Sequence, residues 1–450
     1  MDKTSSKITK EIEISPEILS EIQKEVKDIF GFKEKIKELL EKKVTEILEV
    51  ILVGAISLDA SDLHIEPEEN QAKIRVRIDG MLQDVVLFEP KIYKALLSRI
   101  KLLSGIKLNI SDRPQDGRFS ILLSKDLESP EEISLQIEIR SSTLPAEHGE
   151  SIVLRILNPK NLIEIEALGL REDLLKIFEK EIKKPNGMII VTGPTGSGKT
   201  TTLYAFLKKI QAPEIKIITI EDPIEYHLKG ISQTQVDAKK GYDFASGLKS
   251  IVRQDPDTIL VGEVRDLETV EIALQSALTG HLVLTTLHTN DAAGTVARLI
   301  NLGAKASNIG PAVNLAVAQR LVRKVCKKCA KLEKIPTPVL DKIKKALKGI
   351  PKEAKFSKQA ELAKLNPELK VFQPKGCKQC NSTGYQGRIA IFEAFLIDDE
   401  IERFILKNPS IADLREEAIK KGMVTMYQDG LMKALEGITT VEEVERVTGE

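Results

Sequence analysis

GMIIVTGPTGSGKTT, residues 187–201, decides how the rest of the chain is read. It opens on an apolar strand, Met188–Val191, turns through a glycine-rich loop and enters a helix from about Lys199. Gly193, Gly198, Lys199 and Thr200 fit the spacing G-x-x-x-x-G-K-[ST], and strand, loop and helix supply the context that the pattern requires. Glycines let backbone N–H groups turn inward around phosphate oxygens, and a helix N-terminus adds positive potential. The expected nucleotide-binding residues are therefore Gly193, Pro194, Thr195, Gly196, Ser197, Gly198, Lys199, Thr200 and Thr201. Lys199 would reach the β- and γ-phosphates of ATP, while the Thr200 hydroxyl would bind Mg²⁺.

Outward from this loop, apolar runs alternate with helical stretches: MIIVT, then IKIITI (215–220), TILVG (258–262) and LVLTT (282–286). Continuous apolar runs belong to parallel strands covered on both faces. An α/β core with a mainly parallel sheet is expected over about 172–325. The strand Thr258–Val261 leads into Gly262, Glu263, Val264, Arg265 and Asp266, with glycine where an aspartate often stands. Glu263 is assigned to the metal and its waters. The strand Ile215–Ile220 leads into Glu221, Asp222, Pro223, Ile224 and Glu225. Glu221 is the choice for polarising the attacking water, supported by Asp222 and Glu225. Acidic residues after strands are ordinarily solvated turns. Two such clusters at the carboxyl ends of parallel strands, beside one phosphate loop, argue instead for metal and water chemistry. His281 and His288 are two of only five histidines and bracket the strand Leu282–Thr286. Capping a helix is the plain reading of either one. As a pair they are candidates for sensing the γ-phosphate.

At 450 residues the chain calls for two or three domains. Residues 1–40 read as a charged helical segment. Over 41–158 short alternating segments (KIRVRI at Lys73–Ile78, Val85–Phe88, Arg118–Leu122, 133–140, Ser151–Leu157) surround a helical stretch, Ile92–Leu103. This describes a smaller α+β domain, with Asp79-Gly80 as a hairpin turn. Residues 159–171 read as a linker, and 381–450 as mainly helical. Cys326, Cys329, Cys377 and Cys380 are all the cysteines and form two C-x-x-C pairs separated by 47 residues. Such pairs suggest a tetrahedral thiolate Zn²⁺ site in a module over 326–380, elaborated beyond zinc-ribbon spacing; free or redox-active thiols are the alternative.

Lys+Arg and Asp+Glu balance at 67 each, which excludes a bulk positive field for nucleic acid. Aromatic residues are 4% and Trp is absent, which disfavours base-stacking platforms. The longest apolar candidate for a membrane, Ile51–Leu58, falls far short of the roughly twenty residues a span needs. Residues 1–14 are polar and do not resemble a signal peptide. A basic stretch from Arg320 to residue 358 suits anionic lipid headgroups or acidic partners; a solvated face is the plainer reading.

Nine stretches resemble the secretion-ATPase superfamily, specifically the bacterial type II secretion and type IV pilus assembly (extension) ATPases. They are Ala60–Pro67 (ASDLHIEP), Arg75–Gly80 (RVRIDG), Arg113–Arg118 (RPQDGR), Gly193–Tyr204, Ile220–Tyr226, Ile259–Asp266, Gly280–Asp291, Gln319–Val322 (QRLV) and Gly384–Arg388 (GYQGR). They run in family order through about 41–450. The resemblance implies a PAS-like N-terminal domain, a flexible linker and a RecA-like P-loop core assembled as a homo-hexameric ring. It names a Walker A box at 193–200, an aspartate box at Glu221–Glu225, a Walker B box at 259–263 and a histidine box at 281–291. It implies that Arg113, Arg118, Arg140 and Arg155 approach the phosphates when the domains close. Fixed cations there would neutralise charge on the transferring phosphoryl oxygens.

The resemblance also supports the tetracysteine zinc module and places the chain with assembly rather than retraction ATPases. Family members often carry a further N-terminal domain that docks on inner-membrane partners. Here about 40 residues precede the matching region, so docking is expected to be reduced or handled by the charged helices at 9–50. The implied function is a cytoplasmic hexameric motor, peripheral to the inner membrane. It would hydrolyse ATP to ADP and phosphate and drive assembly of pilin-like subunits through inner-membrane platform and cytoplasmic adaptor proteins. A nucleic-acid translocase and a nucleotide-regulated scaffold without turnover are the competing readings; no nucleic-acid partner is expected.

Overall fold

The computed structural model describes residues 11–40, 42–123, 135–348, 350–351, 354 and 369–450. They divide into two compact units, Met1–Asn161 with Gly376–Gly384 and Leu162–Lys375 with Tyr385–Glu450. Residues 1–10 and 41 of the expected N-terminal helices, 133–134 of the expected strand at 133–140, and 349, 352–353 and 355–358 of the basic stretch lie outside the described residues.

The first unit is a seven-stranded sheet with helices. Its elements are β1 (Glu11–Ile14), α1 (Pro16–Glu25), α2 (Ile29–Leu39), α3 (Val44–Ser57), β2 (Asp62–Pro67), β3 (Ala72–Ile78), β4 (Met81–Phe88), α4 (Pro90–Leu103), β5 (Gln115–Leu123), β6 (Leu135–Ala146) and β7 (Gly149–Leu157). The strand order is β1-β5-β6-β7-β2-β3-β4. Only β1 runs parallel to its neighbour, β5. Alternation sets the two faces: Phe119, Ile121 and Leu123 of β5 and Ile152, Leu154 and Ile156 of β7 are buried, with polar neighbours between them. Asp79 and Gly80 both take positive φ (51° and 83°), the geometry of a two-residue hairpin turn between β3 and β4. The apolar run Ile51–Leu58 falls largely within α3, a core helix. Residues 11–40 pack into the core of this unit. Ile22, Phe32, Ile36 and Leu39 are buried in the same core, and a Cβ on Gly54 of α3 would stand 2.2 Å from the Phe32 ring.

The second unit is a doubly covered α/β sheet. It comprises α5 (Glu172–Glu181), β8 (Gly187–Thr192), α6 (Lys199–Ile210), β9 (Ile217–Glu221), β10 (Ser232–Gln235), α7 (Phe244–Val252), β11 (Thr258–Val261), α8 (Leu267–Leu278), β12 (Leu282–Leu287), α9 (Gly294–Asn301), α10 (Ala306–Ala312) and β13 (Val313–Val325). There follow β14 (Lys331–Lys334), α11 (Thr337–Leu347), β15 (Lys370–Gln373), β16 (Tyr385–Leu396), α12 (Asp399–Ile405), α13 (Ile411–Lys420), α14 (Met426–Leu435) and α15 (Val441–Thr448). The strand order is β10-β9-β11-β12-β8-β13-β16. All neighbours are parallel except β13 and β16.

Every residue of β8 is buried. Met188 and Ile190 enter the core on one face, and Ile189 and Val191 enter the core on the other. That two-sided burial is why the strand reads as an unbroken apolar run. On the second face Phe178 packs edge-on against Phe206 (5.2 Å between centroids) and Phe392 (6.1 Å). The expected modules at 326–380 and 381–450 share the core on the Met188 and Ile190 face, through Ile335, Leu340, Ile343, Val371, Leu414 and Leu431. Among the described residues no helix is long and apolar enough to cross a membrane.

Candidate active site

The phosphate loop leaves β8 and enters α6 between β12 and β13, the two strands that flank β8. Gly193, Gly196 and Gly198 have φ of 151°, 79° and 88°, a region that side chains with a Cβ rarely enter. Space enforces the same choice. A Cβ on Gly193 would stand 2.5 Å from the Gln319 carbonyl oxygen, and one on Gly198 would stand 2.9 Å from Gln319 Nε2. The Lys199 ammonium folds back onto the loop, donating to the carbonyl oxygens of Gly193 (2.8 Å) and Pro194 (3.2 Å). Burial pushes its pKa below the ordinary lysine value; Glu263 opposes that shift and Arg320 adds to it. Ser197 Oγ is buried with no hydrogen-bond partner. An inward-turned glycine loop, an orphaned hydroxyl and a half-buried ammonium at the start of a helix fit the phosphate groups of a nucleotide.

Glu263 follows β11 after one residue, Gly262. Its Oε1 pairs with Arg265, and its Oε2 lies 3.6 Å from His288 Nε2. The turn that carries it is fixed by β12: Thr286 Oγ1 donates to the Gly262 carbonyl at 2.7 Å, and the Val264 N–H donates to the Thr286 carbonyl at 3.2 Å. Burial lowers the His288 pKa, the Lys199 charge lowers it further, and Glu263 works in the opposite direction. Lys199, Glu263 and His288 thus share one electrostatic cluster. It is built from the carboxyl ends of β8, β11 and β12, with Arg265 and Asp222 (3.8 Å apart) at its rim.

Two expected site residues are placed differently. His281 precedes β12, its carbonyl accepts from the N–H of Gly187 at the start of β8 (3.2 Å), and its Nδ1 lies 3.0 Å from the Ser276 carbonyl. Leu282 pairs with Gly187 and Leu287 with Thr192, so His281 stands one strand length from the loop. Six residues at about 3.3 Å each put it roughly 20 Å away. Two histidines that bracket a strand necessarily lie at opposite sheet edges, and only His288 joins the cluster. Glu221 does end β9, but the residue is 3% exposed and its carboxylate is already engaged. Its Oε2 accepts from Tyr204 Oη, and its Oε1 accepts from Thr219 Oγ1 (2.6 Å) and Gln233 Nε2 (3.2 Å). Burial raises its pKa; the hydrogen bonds pull it back. Most of its acceptor capacity is spent on bracing α6, β9 and β10, rather than on a water.

Gln319, Arg320 and Tyr204 reach the site without having been singled out for a role. The buried Gln319 Oε1 accepts from Thr202 Oγ1 at 2.7 Å, and Arg320 Nη2 donates to the Asn290 carbonyl at 3.0 Å. All three lie within segments of the family resemblance, which was the available signal; local periodicity carries none.

Within the first unit, Arg118, Arg140 and Arg155 are directly opposed across β5, β6 and β7. Arg113 lies in the loop before β5, exposed and 3.6 Å from Asp112. The four cysteine sulfurs lie within 4.8 Å of one another. Cys326 and Cys380 are buried and the other two half-buried. The N–H groups of Cys377 (3.2 Å) and Gly384 (3.3 Å) donate to Cys380 Sγ. The Cys377 and Cys380 sulfurs are 3.6 Å apart. Tetrahedral bonds of about 2.3 Å require sulfurs about 3.8 Å apart, so an all-sulfur set of this size fits a bound metal.

The model of the family described as type II/IV secretion system protein matches residues 37–446. Type II secretion system protein E of Xanthomonas campestris pv. campestris is 42% identical over 413 residues, covering 91% of this chain and 68% of that protein. The type IV pilus assembly ATPase PilB of Pseudomonas aeruginosa is 40% identical over 406 residues, covering 90% of this chain and 67% of that protein. Among solved structures, the pilus retraction motor PilT with bound ADP aligns with TM-score 0.57 at 26% identity, over 90% of this chain and 97% of that one. The Legionella pneumophila ATPase DotB shares the fold, with TM-score 0.60 at 21% identity, over 89% of this chain and 94% of that one. A phosphate loop, an acidic turn and a histidine gathered at adjacent strand ends, together with a family match across nearly the whole chain, place the protein in the type II/IV secretion system protein family.

Proposed function

We propose that this chain is an ATP hydrolase that works as the motor of a type II secretion or type IV pilus assembly machine. The observation that carries the reading is the cluster of Lys199, Glu263 and His288 around one phosphate loop. Loop amides and the N-terminus of α6 receive the phosphates, and Lys199 exchanges its carbonyl contacts for β- and γ-phosphate oxygens. The Thr200 hydroxyl and Glu263 would hold Mg²⁺, which would supply neutralisation of phosphate charge. His288 sits where a hydrogen-bond donor can report the state of the γ-phosphate. Glu221 braces the site from beneath, leaving the exposed Asp222 as the solvent-facing carboxylate of that strand end. Arg118, Arg140 and Arg155 are the proposed phosphate-facing groups of the first unit, and Arg113 is retained as a loop-borne member of the set. The cysteine cluster is proposed to hold Zn²⁺ in a closed, structural site. A homo-hexamer, a cytoplasmic location beside the inner membrane, and platform and adaptor partners complete the proposal.

Steady-state phosphate release with ATP and Mg²⁺ tests it. Glu263→Gln should lose roughly a hundredfold or more in rate while still binding nucleotide. Wild-type turnover in that variant would remove Glu263 from catalysis, and no phosphate release from the wild type would favour a nucleotide-regulated scaffold.

A further inference from the structure

Four arginines and one aspartate form a single row across the solvent face of the first unit's sheet. Arg118 faces Arg140, Arg140 faces Arg155, Arg155 faces Asp62, and Asp62 faces Arg77. Directly opposed side chains share a face at about 5 Å, and like charges so placed oppose pairing. Two such contacts in succession gather guanidinium groups on one face of the sheet. Such a row suits an anionic ligand. Members spaced by one strand, about 4.8 Å, suit a chain of linked phosphates better than a single one.

Asp62 is the most enclosed member, its side chain 8% exposed. Its Oδ1 accepts from Arg155 Nε at 3.0 Å. Its Oδ2 accepts from the Ser61 hydroxyl at 2.9 Å and lies 3.4 Å from Arg77 Nε. Both guanidinium contacts use Nε, the inner edge of the fork. The outer Nη donors of Arg155, whose side chain is 53% exposed, remain on the solvent side of the contact. Arg77 is steadied further by donation from Nη1 to the Gly80 carbonyl at 3.1 Å. At the far end Arg118 lies 3.8 Å from Glu138.

We infer that Asp62 is a positioning residue for this row and that Arg77 is a further anion-binding member of it. The ligand is the phosphate chain of a nucleoside triphosphate, and the inference rests on the role proposed for Arg118, Arg140 and Arg155. A buried carboxylate gripping two guanidinium groups by their inner edges holds them apart in fixed orientations. The ligand then gains forked contacts without the cost of ordering long side chains.

The test uses the full chain and ATP with Mg²⁺, reading KM and kcat from phosphate release and folding from thermal melts. Asp62→Asn should raise KM roughly tenfold, with Asp62→Glu recovering part of the loss. Its effect should shrink in an Arg155→Gln background and vanish when Arg77→Gln is added to that background, because it acts through those two arginines. Arg77→Gln should raise KM in the same direction. If Arg155→Gln leaves both constants unchanged, the arginine reading itself fails. If Arg155→Gln impairs binding while folded Asp62→Asn and Arg77→Gln do not, the reading stands and this inference is overturned. An Asp62→Asn effect additive with Arg155→Gln also overturns it, since that is the mark of a structural role. Should Asp62→Asn fail to fold, Arg77→Gln decides: a wild-type KM overturns the inference and a raised KM supports it.

Discussion

Glu443→Gln should destabilise the second unit in a pH-dependent way. Glu443 lies in the first turn of α15 with its side chain sealed from solvent. Its carboxylate accepts from Arg323 through the backbone N–H (3.0 Å), Nε (3.0 Å) and Nη2 (2.7 Å), and from Arg446 through Nε (2.7 Å) and Nη2 (2.8 Å). Burial alone would raise its pKa. The hydrogen bonds from Arg446 and Arg323, with the Arg323 charge, outweigh burial and bring it from 4.5 down to about 2. At 1.36 kcal/mol per unit, this shift corresponds to about 3 kcal/mol of stability at neutral pH. Removing the charge leaves Arg323 buried without its counterion, and losses of that kind run to about 3–5 kcal/mol.

For a domain of this size, 1 kcal/mol moves Tm by about 2 °C, so Glu443→Gln should melt about 6 °C below wild type at pH 7. The sign follows from a depressed carboxylate. The contribution is complete above the unfolded-state value near 4.5 and is lost as pH falls through the folded value near 2. Melting or urea unfolding of both proteins between pH 7 and pH 2.5 should show a gap that narrows below pH 4.5. A gap constant with pH, or no gap at pH 7, would refute the reasoning. The variant should also loosen the site end of β13, because Arg323 lies on the same strand as Gln319 and Arg320.

Three further outcomes are expected. His281→Ala should keep ATP turnover within about twofold of wild type while His288→Ala loses roughly tenfold, both by phosphate release; equal losses would return His281 to the site. Purified chain should carry about one zinc by elemental analysis, and Cys329→Ser should lose it and melt lower; full zinc occupancy in that variant would contradict a four-sulfur site. Phe178→Ala should cost about 3–5 kcal/mol in urea unfolding, from its edge-on packing against Phe206 and Phe392; a cost below about 1 kcal/mol would show that the pocket collapses freely.

Local chemistry was legible from residue order alone. The glycine spacing of 193–198, the apolar runs of a doubly covered sheet, the hairpin at Asp79-Gly80 and the paired cysteines each follow from neighbours within a few positions. Positive φ and phosphate cradling demand glycine, and two buried faces demand continuous hydrophobicity. Family resemblance extended that reading to function, because whole motifs recur together in order.

Tertiary structure alone decided what each end of a strand faces and what each carboxylate touches. His281 and His288 look equivalent along the chain, yet β12 separates them across the sheet. Glu221 and Glu263 both follow apolar strands, but Tyr204, Thr219 and Gln233 enclose the first and leave the second beside Lys199 and His288. The arginine row exists only through the register of five strands, three of them far from the others in sequence. Residues 11–40 likewise join the first core because Phe32 fills the space left by Gly54. Sequence period reports which side of its own element a residue occupies. Which other element lies opposite is set by long-range packing, and that placed the catalytic candidates.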